Sequence, residues 1–243
     1  GLKVLFNKEN WLNQAFKVLE LGSEPASHQR AFPGHWQLTT SNFNMAFKTD
    51  LVLNAEQKFF LADNSYNGVA ILSKTPFQKT AIHHRVDKED CRHISVTFPK
   101  LELHNLYIPA GGDIPDRTQN EKFGHKLDFV DELHTWFGDT YQNDTSLMAV
   151  GDFNIAPLEH DVWSHKQLAN IVSHTGIEIE KLIRFKNSLD WVDVGRHFVP
   201  ADQKLYTWWS YRNRDWKVSN RGRRLDHMWV TSPLKDRLIA HRI

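Results

Sequence analysis

Apolar and polar positions along this chain alternate between two periods. Leu147-Met148-Ala149-Val150 is a short apolar run that stops at Gly151-Asp152 and continues Phe153-Asn154-Ile155-Ala156-Pro157. A run this short, closed by Gly and Pro, reads as a buried strand and its exit. A period of two points Asp152 and Asn154 the same way at the strand end. Tyr66-Asn67-Gly68 reads as a turn, with a buried strand running to Ser73. Arg92–Phe98 and Leu101–Tyr107 read as two further strands joined at Pro99-Lys100. Pro109 and Gly111-Gly112 end the second of these, so Tyr107 also sits at a strand end, beside a glycine-rich loop. Phe123, Leu127, Val130, Leu133 and Phe137 recur at three- and four-residue steps, which predicts an amphipathic helix leading into the 147–151 strand.

The remaining segments are less regular. Leu2–Phe6 predicts a first strand. Trp11, Ala15, Phe16 and Leu19 at helical spacing predict a helix stopped by Gly22. Residues 23–46 read as loops. The stretch 155–175 is polar and carries His160, His165 and His174. Asp161 and His165, four apart, would suit a metal on a helix face, but loop hydrogen bonding is the favoured role. Trp191–Val194 is a short strand or a helix end. Leu205–Tyr211 is a strand by composition, and Leu225–Val230 another, with Asp226 near its start. Between them stand Arg212, Arg214, Lys217, Arg221, Arg223 and Arg224 with Trp216, opposed by Asp215 alone. Such a basic, aromatic loop suits a nucleic-acid backbone; a solvated hairpin with incidental charge is the alternative.

Composition narrows this reading. A formal net charge of +1 leaves no global polycation, so nucleic-acid binding must come from a local patch. One cysteine, Cys91, excludes a disulfide framework and cysteine-rich zinc sites, and fits a reducing cytoplasm. No apolar run approaches the roughly 18 residues of a membrane span, and the first residues lack the shape of a secretory signal. The pattern of strands and helices fits one α/β domain over residues 1–243, with 1–65 its least informative part. The candidate chemistry lies at strand ends. Asp152 and Asn154 could hold a water or a phosphate oxygen, the carboxylate accepting a proton while the amide donates; a polar turn closing a strand is the competing reading. Tyr107 could donate its hydroxyl to a ligand oxygen or be a core or rim residue.

Several blocks occur in order: YNGVAILS from Tyr66, YIPAGGD from Tyr107, KFGHKLDF from Lys122, GDFNIAP from Gly151, WSHKQ from Trp163, YTWWSYR from Tyr206 and RGRRLDH from Arg221. Over residues 65–243 the chain resembles the exodeoxyribonuclease III family of apurinic/apyrimidinic endonucleases, in its bacterial form. The resemblance implies a four-layer α/β sandwich, two packed mixed β-sheets flanked by helices. It implies Mg²⁺- or Mn²⁺-dependent hydrolysis of phosphodiesters at abasic sites and 3′ ends of duplex DNA, in base excision repair, by a monomer. By motif match, Asp152 would activate the attacking water, Asn154 would position it, Tyr107 would donate to the phosphate, and Asp226 would orient a catalytic histidine. Arg92, Lys122, Arg212, Arg221 and Arg224 would hold the DNA backbone, and Trp208 would wall the pocket for an abasic sugar. Asn7, after Phe6, would stand in the place of the Trp-Asn that opens the family and reach the metal.

The sequence departs from the family in two further places. Gln37-Leu38-Thr39 has Leu where the family carries its metal-binding Glu, so that carboxylate is unassigned. The closing Ser-Asp-His does not occur before His241-Arg242-Ile243. The expectation is an active nuclease whose chain extends further. A degenerate DNA-binding member, or a phosphoesterase for another substrate on the same scaffold, are the alternatives.

Overall fold

The computed structural model describes residues 2–6, 17–19, 57–62, 68–73, 76–210 and 215–243. Twelve strands are described: β1 (Leu2–Phe6), β2 (Lys17–Leu19), β3 (Gln57–Ala62), β4 (Gly68–Ser73), β5 (Lys79–Ile82), β6 (His93–Phe98), β7 (Leu101–Tyr107), β8 (Leu147–Asp152), β9 (Val192–Asp193), β10 (Trp208–Trp209), β11 (Gly222–Arg223) and β12 (Asp226–Val230). The helices are α1 (Glu121–Thr140), α2 (His165–Leu168), α3 (Gly176–Asn187), α4 (Val194–Phe198) and α5 (Trp216–Ser219).

The main sheet has the order β5-β6-β7-β8-β12-β9. Its one parallel pair is β7 with β8, and α1 is the crossover between them. The other sheet has the order β2-β1-β4-β3 and is antiparallel throughout its described strands, where the resemblance implied a mixed one. Alternation along the central strands sends residues to two separate cores. Leu103, Met148, Val150, Met228 and Val230 meet Val69 and Ile71 of the second sheet. Leu106, Leu147, Ala149 and Trp229 face the other way, onto Phe129, Leu133 and Phe137 of α1 and Leu182 and Phe185 of α3. The chain is therefore an α/β sandwich of two packed sheets with helices outside the larger one. The helical layer expected outside the smaller sheet falls beyond the described residues.

Other elements differ from the sequence reading for identifiable reasons. Lys17–Leu19 pairs with Leu2–Val4 as a strand, not the end of a helix; Trp11, Ala15 and Phe16 lie outside the described residues, as do the Asn67 turn and the 23–46 loops. Among the described residues of the expected 205–211 strand, Trp208-Trp209 pairs with Gly222-Arg223, while Leu205 and Tyr206 are buried ahead of it. The apolar pattern does not predict helix α3. Its signal is a capping box: the Thr175 side chain accepts from the Glu178 amide while Glu178 accepts from the Thr175 amide at 3.1 Å.

Candidate active site

Register places the strand-end residues together. Tyr107 of β7 lies opposite Asp152 of β8, and Asp152 lies opposite Asp226 of β12. Directly opposed residues on neighbouring strands share a face, with Cα atoms about 5 Å apart. The row lies on the face that Val150, Met228 and Leu103 turn toward the second sheet, so it sits at the rim of the inter-sheet core. Two carboxylates and a phenol are thus held side by side by backbone pairing alone.

The exit from β8 is tightly specified. Gly151 has φ +147°, and a Cβ there would lie 1.8 Å from the Leu106 carbonyl oxygen. The Asp152 carbonyl accepts from the Ile108 amide at 2.9 Å, which extends the β7–β8 pairing past Tyr107. Asp152 Oδ1 accepts from the Asn154 amide at 3.0 Å. Asn154 has φ +53°, a conformation that asparagine tolerates better than most residues. Its Nδ2 donates to the Ile108 carbonyl at 2.8 Å. Simple strand alternation therefore does not set the direction of Asn154; a left-handed turn does.

Tyr107 is supported from behind. The Arg92 guanidinium lies 4.7 Å from the centroid of its ring and donates through Nη1 to the Tyr107 carbonyl at 3.3 Å. Arg92 Nε donates to Asp90 at 2.6 Å, and His125 Nε2 of α1 reaches the same carboxylate oxygen at 3.0 Å. Arg92, expected as a clamp on DNA, is buried in this arrangement and props the tyrosine.

The basic block separates into two groups. The guanidinium of Arg224, also expected on DNA, is buried and saturated by carboxylates. It donates to Asp161 at 2.7 and 3.0 Å and to Asp193 at 2.9 and 2.8 Å. Burial opposes its charge, but Asp193 and Asp161 outweigh burial and raise its pKa; burial likewise pushes Asp193 up, but Arg224 holds it below the usual carboxylate range. Asp161 also receives Arg196 at 2.6 Å, so it is a core counter-ion and no metal ligand with His165. His165 instead bonds to His174 at 2.8 Å, and His174 Nδ1 to the Ala156 carbonyl at 2.6 Å, the loop role that the sequence favoured. Arg223 donates to Ser173 Oγ and to the Val172 carbonyl. Arg221 remains exposed, stacked 4.7 Å from the ring of Trp163. Lys122 is exposed in the first turn of α1. Trp208 is half-buried beside Leu225 and Val162. Asn7 and Arg212 lie outside the described residues.

Two groups could be asked to hold a metal. Asp152 and Asp226 offer adjacent hard oxygen donors, the chemistry that Mg²⁺ and Mn²⁺ prefer. His83, His93 and His104, on the other face of the main sheet, also bring ring nitrogens within 4.8 Å of one another. The lone pairs of His93 and His104 are committed, however. Arg85 donates to His93 Nδ1 at 3.3 and 3.1 Å, which leaves His93 Nε2 to donate to His104 Nδ1 at 2.9 Å. His104 Nε2 then donates to the Tyr141 oxygen at 3.3 Å, and Tyr141 donates to Glu102 at 3.0 Å. One donor, Arg85, fixes every tautomer along this chain, and its charge opposes a second cation. Burial first, then neighbouring cations and rings, lowers all three histidine pKa values, that of His83 to about 4.

A family model described as the Endonuclease/Exonuclease/phosphatase family matches residues 9–241, and the chain belongs to that family. Within it, the likeness is to exodeoxyribonuclease III and its apurinic/apyrimidinic endonuclease relatives. The exodeoxyribonuclease of Bacillus subtilis (strain 168) is 26% identical over 181 residues, covering 74% of this chain and 69% of that protein. Exodeoxyribonuclease III of Haemophilus influenzae is 24% identical over 192 residues, covering 74% and 70%. Among solved structures, an AP endonuclease from Archaeoglobus fulgidus superposes with a TM-score of 0.70 at 26% identity, covering 76% of this chain and 69% of that one.

Proposed function

We propose that this protein is a divalent-metal-dependent DNA repair nuclease that hydrolyses phosphodiesters at abasic sites and 3′ ends of duplex DNA. The observation that carries this reading is the row Tyr107–Asp152–Asp226 across β7, β8 and β12. Its relatives are named as exodeoxyribonucleases and AP endonucleases. A phosphodiester is anionic and repels nucleophiles, so hydrolysis needs a base for water and donors for the phosphate oxygens. Asp152 takes the proton of the attacking water. Asn154, fixed by the Asp152 carboxylate and the Ile108 carbonyl, positions that water. Tyr107, braced by Arg92, donates its hydroxyl to a phosphate oxygen. Asp226 would orient the catalytic histidine that the family carries, and Asp152 and Asp226, with Asn7, are the oxygen donors that would hold Mg²⁺ or Mn²⁺. The bound metal would neutralise phosphate charge.

Arg221, Lys122 and Arg212 hold the DNA backbone in this reading, and Trp208 walls the pocket for a sugar without a base. An extruded nucleotide costs least where no base is stacked, which favours abasic and frayed sites. The reading takes residues 1–243 as one nuclease domain acting as a monomer in the cytoplasm; no helix among the described residues is long and apolar enough to cross a membrane.

The test is nicking of a labelled abasic duplex by this chain, with Mg²⁺ and with EDTA. Cleavage is expected with Mg²⁺ alone, and Asp152→Asn is expected to lose about 10²–10⁴-fold in rate, the usual contribution of a positioned base. Salt-dependent binding without nicking would instead identify a DNA-binding member without catalysis.

A further inference from the structure

Beneath the candidate site, Lys126 of α1 and Glu178 of α3 form an ion pair in which neither side chain has exposed surface. An ammonium so placed is costly unless each donor is used. Besides Glu178, Nζ reaches the Asn154 carbonyl at 2.9 Å and the Ala110 carbonyl at 3.2 Å. Glu178 accepts from the Ser173 amide at 3.0 and 2.9 Å, the Thr175 amide at 3.1 Å and the Thr175 hydroxyl at 2.7 Å. Two of these segments are the exits of β7 and β8, the strands whose ends carry Tyr107 and Asp152. Ala110 is followed by Gly111, with φ +88°, where a Cβ would lie 2.8 Å from Lys126 Cδ. The lysine stem therefore fills the space under the loop as its head fixes the two carbonyls.

A buried ion pair is a poor source of stability, because apolar side chains of equal volume often serve as well or better. What apolar side chains cannot supply is direction. A single ammonium bonded to two carbonyls sets the spacing of the two loops and holds Asn154 in its left-handed conformation. We propose that Lys126 and Glu178 are positioning residues for hydrolysis, and that they tie the geometry of Asn154 to helix α3. The kinetic part of this proposal rests on the nuclease reading above; its geometric part does not.

The decisive variant is Lys126→Met with Glu178→Gln. It removes both charges, keeps the volume, and leaves an acceptor for the cap of α3. Two readouts are taken beside wild type: hydrogen exchange of the Asn154 amide by NMR, and steady-state kinetics on an abasic duplex. Exchange at Asn154 is expected to quicken about tenfold or more while the amides inside β8 stay protected. kcat is expected to fall about 10–100-fold with KM within about threefold, the signature of misplacement and not of lost binding. Lys126→Arg, which keeps charge and donors, is expected to recover part of kcat. An Asn154 amide that exchanges as slowly as in wild type, or an unchanged kcat in the folded variant, overturns the proposal. If the double variant does not fold, Glu178→Gln alone is read by the same two measurements against the same criteria. If wild type itself cuts no DNA, the nuclease reading fails, and the exchange measurement still decides whether Lys126 positions Asn154.

Discussion

Gly151 shows how much one residue decides at this site. Its φ of +147° and the 1.8 Å from a built Cβ to the Leu106 carbonyl leave no space for a methyl group, and the atom it would strike is backbone within a β-ladder. Gly151→Ala is therefore expected to force β7 and β8 apart at the ends that carry Tyr107 and Asp152. The expected outcome is a loss of about 2 kcal/mol or more of stability in urea unfolding, on the scale of strained backbone plus overpacking. A variant as stable as wild type would show that the strands do not meet as closely as described. The same scale explains what sequence reading could see of the site. Gly-Asp after an apolar run announced the strand end, and Tyr107 before a glycine-rich loop announced another. The left-handed turn at Asn154 is only partly local, since the Asp152 carboxylate is two residues away but the Ile108 carbonyl belongs to another strand exit, and the Arg92 brace behind Tyr107 has no local signature.

Among elements, the basic stretch between β10 and β12 carries the clearest lesson. A run of arginines suggested one DNA-facing surface. The fold turns neighbouring residues of that run to opposite fates: Arg221 outward over Trp163, Arg224 inward to Asp161 and Asp193. The two should respond differently to substitution. Arg221→Ala is expected to weaken binding to duplex DNA uniformly across sequences and to lower the salt slope by about one, with thermal stability unchanged. Arg224→Ala leaves Asp161 and Asp193 short of a buried counter-charge and is expected to cost about 3–5 kcal/mol of stability. Denaturant melts and salt-titrated binding on the two variants check this pair; equal behaviour of the two would contradict the burial of Arg224. Composition could not separate them, since burial of an arginine is decided by carboxylates 63 and 31 residues away. Helix α3 was legible in principle, from Thr175 and Glu178 at capping-box spacing, but its apolar face is short and the preceding stretch is polar.

Across the whole molecule, buried neutral histidines set the response to acid. His93, His104 and His227 are buried, and that burial is the main cause lowering the pKa of each; for His227 it falls to about 4, with Arg224 adding to the effect. An unfolded histidine titrates near pH 6.5. Below that value the unfolded chain takes up protons that the folded protein refuses, so stability present above about pH 6.5 is lost as pH falls toward 4. The slope approaches about 1.4 kcal/mol per pH unit for each histidine kept neutral. Urea midpoints measured at pH 7.5, 6 and 5 are expected to drop over the lower interval. A flat profile would mean that these rings are hydrated or already charged when folded.

The sequence by itself determined the alternation that makes the central strands, the amphipathic crossover helix, the strand-end placement of Tyr107, Asp152 and Asp226, and the family. These are properties of spacing along the chain, and hydrophobic periodicity records them locally. The tertiary structure alone decided that the three site residues stand in one row, because strand register is fixed by pairing between segments far apart in sequence. It alone decided which cations face solvent and which are core counter-ions. It also decided that Lys126 lies under two loops instead of on a helix surface, because the carbonyls and the carboxylate that make its burial tolerable come from three other segments of the chain.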